Sequence, residues 1–371
     1  MKVQNPKHRL LFVGDVVMDS SPEICEDIRE LFQQCVIRSC NVEAPLNGFG
    51  KAIHKTGPLL TQNSSAAEEL QKLGFNIFSM ANNHICDYGS EGLFSTINSF
   101  PKDAILGVGT EKEAYLMRVK IVDNVRYGFV AYGENGYGAI QEDVGVGYAW
   151  VNHPSVNSDL NNYKSQVDIL IVQVHAGVEM IDIPIPEWRS RYKEILDNGA
   201  DVVIGHHPHV VQGVEQYDGK YIFYSLGNFY FDYESKDPRW NIGAILELEI
   251  ENKKVRSYCV SLTRKIGNKL CLEQKDKSEK SINVLSNKIL SSDYVSQIDA
   301  IAVEQWHLHH RKYYANPLNG FANYSFKGLA KHIKRLFFNR RVDYSMIWHN
   351  LFIESNEWLV KRAIKAILNK K

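Results

Sequence analysis

Residues 169–210 contain the stretch of sequence that decides the fold. ILIVQVH at 169–175 and VVI at 202–204 are short apolar runs rich in β-branched residues, and a helical pattern lies between them at Pro186–Asn198. Such runs predict buried strands, and Pro186 is typical of the first turn of a helix. A strand, a helix and a second strand in this order indicate a sheet that is covered by helices.

The same alternation extends through the first half of the chain. The other candidate strands, each bounded by Gly, Asn or Asp, are Leu10–Val13, Cys35–Asn41, Ile77–Met80 and Ala104–Val108. The candidate helices between them are Pro22–Gln33, Ser64–Leu73 and Glu91–Ser99.

The pattern changes near Val210, where consecutive strands replace the alternation. These strands are Val210–Gln216, Lys220–Ser225, Gly243–Glu249 and Lys254–Leu262, with turns predicted at Tyr217–Lys220 and Glu251–Lys253. An α/β half followed by an antiparallel half predicts an α/β fold in which two sheets pack face to face with helices outside.

A third zone begins near Gly267. Lys275–Ser281 is polar and charged, which predicts a linker or an exposed loop, and the patterns beyond it are helical. We therefore expect one domain over 1–265, a linker over 266–280 and a helical, basic C-terminal region over 281–371. Charge is segregated along the chain. Residues 327–371 carry eleven Lys and Arg against three acids, whereas residues 1–326 carry 32 against 40.

The overall composition excludes several classes of protein. With 44% hydrophobic and 23% charged residues, the 371-residue chain is globular rather than disordered or fibrous. The 43 basic and 43 acidic residues balance, which removes any whole-protein argument for a nucleic-acid partner. The six cysteines show no CxxC and no regular spacing, which predicts reduced, mostly buried thiols.

The N-terminal sequence gives an expectation for location. The apolar run Leu10–Val13 is too short for the core of a signal peptide, and it stops at Gly14-Asp15. No stretch approaches the roughly 18–20 apolar residues that span a bilayer. We therefore expect a cytoplasmic protein.

Polar clusters follow or adjoin five of the strand-like runs. They are Gly14-Asp15, Asn41-Val42-Glu43, Asn82-Asn83-His84, His175 and Gly205-His206-His207-Pro208-His209. Ligands and metals collect at the carboxyl edge of an α/β sheet, and acidic, amide and imidazole groups bind Mn, Fe, Zn or Mg. Taken singly, each cluster also has an ordinary structural explanation, such as a turn, a loop acid or a core histidine. Their joint occurrence favours a metal site.

Six longer motifs contain these clusters in a recognisable order. They are Gly14-Asp15, Asn41–Pro45, Ala81–Gly89, His175–Glu179, Gly205–Val210 and Tyr224–Phe229. In this order they resemble the CapA family of bacterial capsule and poly-γ-glutamate synthesis proteins, whose fold is that of the calcineurin-like metallophosphatases. The resemblance covers roughly residues 8–265. It implies a calcineurin-like metallophosphatase sandwich, two packed sheets flanked by helices, with a C-terminal helical extension outside the family pattern.

The resemblance also implies roles by position. The metal ligands would be Asp15, Glu43, Asn83, His175, His207 and His209. Glu43 would be the bridging carboxylate. Among the histidine ligands, His206 could take the place of His207. The implied cofactors are one or two divalent ions, either Mn, Fe, Zn or Mg. His84 would be the catalytic histidine, which protonates a leaving oxygen or stabilises a pentavalent phosphorus.

Two positions depart from the pattern of a standard metallophosphoesterase. Val17 stands where the Asp-x-His motif has its histidine, and Glu43 stands where the second motif has Asp. The loss of one imidazole weakens one of the metal sites, so two tightly bound ions do not follow from the resemblance.

Four further polar residues near the motifs have open roles. Asp87 could orient a ligand histidine or cap the helix that starts near Ser90. Asn228 and Ser225 could bind substrate oxygens at the pocket rim or belong to an ordinary turn. Glu179 could point into the same cleft or into solvent.

We expect a metal-dependent phosphoesterase-like enzyme of capsule or poly-γ-glutamate biosynthesis. A metal-activated hydroxide or a polymer nucleophile would attack, and His84 would donate a proton. Two alternatives stay open: a non-catalytic polymer-binding or assembly factor of capsule export, which the missing imidazole favours, and a metal-dependent amide or peptide hydrolase. The expected partners are an anionic polymer or phosphoester substrate and other capsule-synthesis proteins, with no nucleic acid.

The basic stretch 327–371 contains apolar residues at spacings compatible with one apolar face. They are Phe337, Phe338, Met346, Ile347, Trp348, Leu351, Phe352, Trp358, Leu359, Ile364, Ile367 and Leu368. One interpretation is a helix on an anionic membrane surface, which would make the protein peripheral at the inner membrane. The other is that this face covers the α/β core or a second subunit, while the basic side chains pair with the acidic first part. The sequence leaves both open.

Overall fold

The structure, a computed structural model, describes residues 7–141, 144–233, 235–315, 325–337 and 344–369. The strands are β1 (His8–Val17), β2 (Glu23–Ile24), β3 (Ile37–Val42), β4 (Ile77–Ser79), β5 (Ile105–Leu106), β6 (Val108–Thr110), β7 (Arg118–Val122), β8 (Val125–Gly133), β9 (Val146–Tyr148), β10 (Ile169–His175), β11 (Val202–His206), β12 (Val214–Tyr217), β13 (Lys220–Phe223), β14 (Asn228–Phe231), β15 (Ile242–Glu251), β16 (Lys254–Ile266) and β17 (Lys269–Leu272). The helices are α1 (Glu26–Gln33), α2 (Ala66–Lys72), α3 (Gly89–Asn98), α4 (Glu111–Ala114), α5 (Val156–Lys164), α6 (Pro186–Asp197), α7 (Lys275–Leu290), α8 (Tyr294–Gln305), α9 (Arg311–Ala315), α10 (Phe326–Phe337), α11 (Ser345–Phe352) and α12 (Glu354–Leu368).

The first sheet is built around β1. Nine of its ten residues are buried, which is typical of a strand covered on both faces. Its strand order is β2-β17-β16-β15-β1-β3-β4-β5, and β14 pairs with the C-terminal end of β1. The pairing of β1 with β3 and β14 is parallel, and that with β15 is antiparallel. The carboxyl ends of β1 and β3 therefore lie at the same edge of the sheet.

The second sheet has the order β12-β13-β11-β10-β8-β7. All seven residues of β10 are buried, and β10 runs parallel to both of its neighbours, β8 and β11. Helix α6 connects β10 to β11, so the strand, helix and strand expected over 169–206 are confirmed.

The two sheets face each other across a shared core. Their inner faces exchange hydrogen bonds between Ser39 Oγ and Gln173 Oε1 at 3.2 Å and between His8 Nδ1 and the Tyr127 hydroxyl at 2.6 Å. The predicted turns after β12 and β15 are also present. Both have residues with positive φ, such as Asp218 and Asn252, which is the backbone of tight hairpin turns. The α/β sandwich of two packed sheets with helices outside is thus confirmed.

Glycine is required at two strand positions beside the polar clusters. A Cβ atom on Gly14 would lie 1.8 Å from the carbonyl oxygen of Gly227, and one on Gly205 would lie 1.9 Å from that of Tyr224. Neighbouring backbones therefore approach too closely for any side chain at these positions.

The segment 266–280, which we expected to be a linker, is part of the sandwich. It contains β17, which pairs with β16, and the first turns of α7. The hydroxyl of Ser278 accepts the Leu262 N–H at 3.1 Å, and that of Ser286 accepts the Val214 N–H at 2.9 Å. The polar residues that suggested a loop belong to the exposed side of an amphipathic helix.

The chain divides into two compact units at a later point than the sequence suggested. The first unit ends at Ser291, and the second consists of the helical residues from Ser292 together with His54–Pro58. Within the second unit, α8 packs against α12, and Arg362 pairs with Asp299 at 2.7 Å. Among the residues that the structure describes, no helix combines the length and apolarity needed to cross a bilayer.

The expectation that all six cysteines are reduced is wrong. Cys25 and Cys271 are joined by a disulfide, with their Cα atoms 5.1 Å apart. Sequence spacing does not reveal this pair, because the parallel pairing of β2 with β17 brings together residues separated by 246 positions. The expectation of buried thiols holds for Cys35, Cys40 and Cys86, whereas the Cys259 thiol is exposed.

Candidate metal centre

The polar clusters meet where the strand ends of the two sheets face each other. Asp15 lies in β1, Glu43 follows β3, Asn83 and His84 follow β4, His175 ends β10, and His207 and His209 follow β11. The Asp15 carboxylate accepts the His207 backbone N–H at 3.2 Å, so the two sheets are tied together at the centre itself. Parallel pairing within each sheet brings these distant stretches of sequence to one edge.

The first candidate ligand group contains Glu43, His175 and His207. Nε2 of His175 lies 3.0 Å from Nδ1 of His207 and 3.7 Å from Oε1 of Glu43. The amide oxygen of Asn83 lies 2.9 Å from the same Nε2. Two ring nitrogens and two oxygens therefore converge on one point.

The second group contains Asp15, Glu43 and His209, and it shares Glu43 with the first. Nε2 of His209 lies 3.5 Å from Oε1 of Glu43, and its Nδ1 lies 3.6 Å from Oδ2 of Asp15. Val17 is buried in an apolar cluster with Phe231 and Trp240. The second group is thus poorer in nitrogen than the first.

Charge at the centre is set by burial. Burial lowers the pKa of His207 to about 3, and the nearby Glu179 opposes this only in part. Burial also holds the pKa of His175 well below its ordinary value, with the neighbouring histidines adding to the effect. Burial raises the pKa of Asp15 to about 6, against the opposing effects of His209, the His207 N–H and Asn41.

These residues suit a divalent cation. Neutral imidazoles offer lone pairs to a cation. The one N–H of the His175 ring cannot donate to all the nitrogen and oxygen atoms that lie around its Nε2. Carboxylate, amide and imidazole groups are the donor set for Mn, Fe, Zn or Mg. A cation at this point would compensate carboxylates that are otherwise costly to bury in ionised form.

Two histidines of the candidate groups have polar neighbours outside the groups. Nδ1 of His209 lies 2.9 Å from Oδ1 of Asn228, whose side chain is buried and donates to the Trp240 carbonyl at 3.0 Å. Nε2 of His207 lies 3.3 Å from Oε1 of Glu134. Asn228 is therefore buried against a histidine of the second candidate group.

Glu134 is a residue that sequence reasoning missed. It directly follows β8, is 2% exposed, and donates its backbone N–H to the His175 carbonyl. A position directly after a buried strand would have singled out Glu134. The apolar pattern did not reveal that strand, β8.

The backbone of the His207-Pro208-His209 turn is strained. His207 has φ of 95° and His209 has φ of 55°, both in the left-handed region that side-chain-bearing residues rarely adopt. Such conformations persist only where the surroundings fix them, and they concentrate at functional sites.

His84 is held by a carboxylate at the side of the centre. Its Nδ1 lies 2.8 Å from Oδ2 of Asp87, and the same oxygen accepts the Leu60 N–H at 2.7 Å. The amide oxygen of Asn82 accepts the backbone N–H groups of His84 and Ile85, which fixes the turn that carries the ring. Asp87 therefore orients a histidine, which was one of its two interpretations. The histidine that it orients is His84, which is in neither ligand group.

The remaining candidates take different places. His206 is fully buried between Gln173 Oε1 at 3.3 Å and Asp15 Oδ1 at 3.6 Å, outside both ligand groups. Ser225 is also buried, and its hydroxyl accepts the Gly227 N–H, a contact that fits the second of its two interpretations, an ordinary turn. Glu179 is exposed but forms a third cluster with His207 and His209, so its carboxylate faces the cleft.

Comparison with known proteins identifies the family. The profile of the bacterial capsule synthesis protein family PGA_cap matches residues 9–233, and the chain belongs to this family. The PGA biosynthesis protein CapA of Bacillus subtilis (strain 168) is 31% identical over 245 residues, which cover 60% of this chain and 62% of that protein. The capsule biosynthesis protein CapA of Bacillus anthracis is 32% identical over 182 residues, or 47% of this chain and 44% of that one. The resemblance to the CapA family is confirmed, and the match spans less than two thirds of the length of these relatives.

Solved structures give a weaker likeness. The 5'-nucleotidase of Candida albicans SC5314 aligns with a TM-score of 0.43 and 11% identity, over 78% of this chain and 57% of that one. The fold assignment rests on the strand pairing of this chain and on the family match.

Proposed function

We propose that the protein is a metal-dependent phosphoesterase-like enzyme of capsule or poly-γ-glutamate biosynthesis. Membership of the capsule synthesis family supports the biological process. The observation that carries the activity is the pair of ligand groups that share Glu43, with His84 held beside them by Asp87.

The ligand residues would hold one or two divalent ions. His175, His207, Asn83 and Glu43 would hold the first, and Asp15, His209 and Glu43 the second. When bound, such an ion supplies positive charge to a phosphoryl oxygen and lowers the pKa of water. Since Val17 leaves the second group without a further imidazole, we expect the first group to bind more tightly.

His84 is the group of this chain that would handle a proton. Its Nδ1 faces the Asp87 carboxylate, which fixes the ring. The Asp87 carboxylate is itself held by the Leu60 N–H, so the pair is fixed before substrate binds.

A second candidate function is a non-catalytic assembly factor that uses the cleft to bind an anionic polymer. The observation that favours it is the nitrogen-poor second group, because a single ion serves binding as well as it serves catalysis. A buried His84–Asp87 pair favours the enzyme, since binding alone does not need a fixed proton donor. A metal-dependent amide hydrolase would use the same ligands, and substrate tests separate it.

One experiment distinguishes these functions. The full chain is stripped with a chelator, loaded with Mn²⁺, and tested for bound metal and for hydrolysis of phosphomonoesters, phosphodiesters and γ-glutamyl amides. Metal binding together with phosphoester turnover supports the enzyme. Metal binding without turnover of any substrate supports the assembly factor, turnover of amides alone supports the amide hydrolase, and a protein that binds no ion contradicts the ligand assignment.

A further inference from the structure

Helix α10 carries an exposed apolar face. Its sequence is FKGLAKHIKRLF, and Phe326, Leu329, Ile333 and Phe337 recur at intervals of three or four residues, which places them on one side of the helix. Their exposed fractions are 93%, 44%, 44% and 81%. Of these four residues, Phe337 belongs to the apolar face that the sequence predicted for residues 327–371, and it is exposed. Phe338, which belongs to the same predicted face, lies outside the described residues.

Cations flank this face. Lys327, Lys331 and Lys334 are exposed and follow the apolar positions by one or two residues, which places them along one border of the apolar stripe. The helix contains no Asp or Glu. An exposed apolar face beside a purely basic one is the pattern of helices that lie in the headgroup region of an anionic bilayer.

We propose that α10 docks the protein onto an anionic lipid surface, with Phe326 and Phe337 inserted at the level of the acyl boundary and the lysines at the phosphates. With twelve residues the helix is roughly 18 Å long, so it lies along the surface and does not span the bilayer. The inference does not depend on the proposed activity.

Charge decides between a lipid surface and a second copy of the chain. Two copies of α10 packed face to face would bring their lysines together with no acid in either helix to compensate them. Anionic headgroups instead attract each lysine, and the acyl chains of the same lipids contact the apolar face. The adjoining helix α11 exposes Trp348 and Leu351, by 57% and 53%, and tryptophan is enriched at the membrane interface.

The test is flotation of the full chain with vesicles. Vesicles of phosphatidylglycerol and phosphatidylcholine are compared with vesicles of phosphatidylcholine alone. We expect binding to the phosphatidylglycerol-containing vesicles only. This binding should fall several-fold when NaCl rises from about 0.1 to about 0.5 M, because salt screens the attraction between lysines and headgroups. Phe326→Ser with Phe337→Ser, and separately Lys327→Glu with Lys334→Glu, should each lower the partition coefficient at least ~tenfold.

Matched control pairs keep the result specific. Ile121→Ser with Ile266→Ser removes two apolar side chains that are 68% and 72% exposed elsewhere. Lys254→Glu with Lys275→Glu makes the same change in net charge outside the C-terminal region. Both control pairs should bind vesicles within about twofold of the unmodified protein.

Three outcomes overturn the proposal. One is that the unmodified protein ignores anionic vesicles. Another is that the control pairs lose as much binding as the α10 pairs. The third is that Phe326→Ser with Phe337→Ser leaves flotation unchanged but turns a dimer into a monomer by light scattering, which would make the face a self-association surface. Bound metal, measured on the same samples, reports separately on the centre.

Discussion

Oε1 of Glu134 lies 3.3 Å from Nε2 of His207, on the opposite side of the imidazole from the nitrogen that faces His175. A carboxylate at this distance favours the tautomer with the proton on Nε2, in which Nδ1 keeps its lone pair for the candidate ligand group. Histidines that bind metals commonly have such a partner, which fixes the tautomer and raises the basicity of the ligand nitrogen.

Glu134→Gln should weaken metal binding by about 10- to 100-fold while the fold remains intact, because the amide keeps the size but not the charge of the side chain. Isothermal titration with Mn²⁺ measures the affinity. The exposed Glu111→Gln is the control and should leave it unchanged. An unchanged affinity in the Glu134 variant would mean that the contact does not act on His207.

His207→Ala and His209→Ala test the two ligand groups separately. We expect His207→Ala to remove the more tightly bound ion and His209→Ala to affect only the weaker site. The two groups share Glu43 but no histidine. Mass spectrometric metal analysis after equilibrium dialysis measures the stoichiometry, with the exposed His54→Ala as control. Equal loss of all metal in both variants would indicate a single shared ion.

His84→Asn should lower phosphoester turnover at least ~100-fold and leave the metal content near that of the unmodified protein. The reason is that His84 lies outside both ligand groups of the described residues and faces Asp87. Asp87→Asn should have a smaller effect on turnover, because the amide oxygen can still accept a hydrogen bond from the ring. Parallel loss of metal in the His84 variant would instead make His84 a ligand.

Glu215 should make stability depend on pH in the acid range. Burial raises its pKa, but hydrogen bonds from Arg189, Lys193 and Tyr224 outweigh burial and hold the pKa at about 2, against an ordinary 4.5. A carboxyl whose pKa is lowered by folding stabilises the folded state above pH 4.5, and this contribution is lost as pH falls towards 2. Glu215→Gln should therefore cost about 2 kcal/mol in the free energy of unfolding at pH 7 and progressively less between pH 4.5 and 2.

Urea unfolding of both proteins across this pH range measures the difference. Glu111→Gln, at an exposed position, should show none. A constant difference from pH 7 to pH 3 would show that Glu215 acts through packing and not through charge.

The Cys25–Cys271 pair predicts the number of free thiols. Under denaturing, non-reducing conditions, four of the six cysteines should react with a thiol reagent, and all six should react after reduction. Six reactive thiols before reduction would contradict the pairing. Structural disulfides form and persist mainly in oxidising compartments, so a closed pair would argue against the cytoplasmic location expected from the sequence.

The sequence predicted the elements whose apolar runs are unbroken. β10 and β11 were predicted because each is a buried apolar run with clear boundary residues, and α6 was predicted because Pro186 marks its first turn. β8 was missed although eight of its nine residues are buried, because Gly128 and polar or aromatic residues interrupt its pattern. A Cβ on Gly128 would lie 2.6 Å from Met117 Sδ, so this glycine stands where the side chains of neighbouring elements pack closely.

The residues of the candidate site were likewise predicted or missed according to whether their strands could be recognised. Asp15, Glu43, Asn83 and the histidines were predicted because they follow recognisable strands, and the structure brings them together. Glu134 was missed together with its strand. The roles of Asn228 and Ser225 could not be read from the sequence, since both depend on which way a side chain points at a turn. The Cys25–Cys271 pairing depends on a contact between two short strands at one end of the first sheet, for which the sequence carries no local signal.

The central position of β1 has a consequence for the way in which the chain is made. The strands that pair with β1 along one edge are β14 and β15. They begin only at Asn228 and Ile242, about 210 residues or more after β1 ends. At ordinary rates of synthesis, roughly 10 to 40 s pass before those strands leave the ribosome, and an apolar strand waits with one edge unpaired. Ribosome-bound chains that stop before residue 228 should therefore be cleaved readily within β1 by a protease, and chains extended past residue 251 should resist it. Every candidate ligand precedes residue 228, whereas Asn228, which pairs with Asp15 and contacts Nδ1 of His209, is made after all of them.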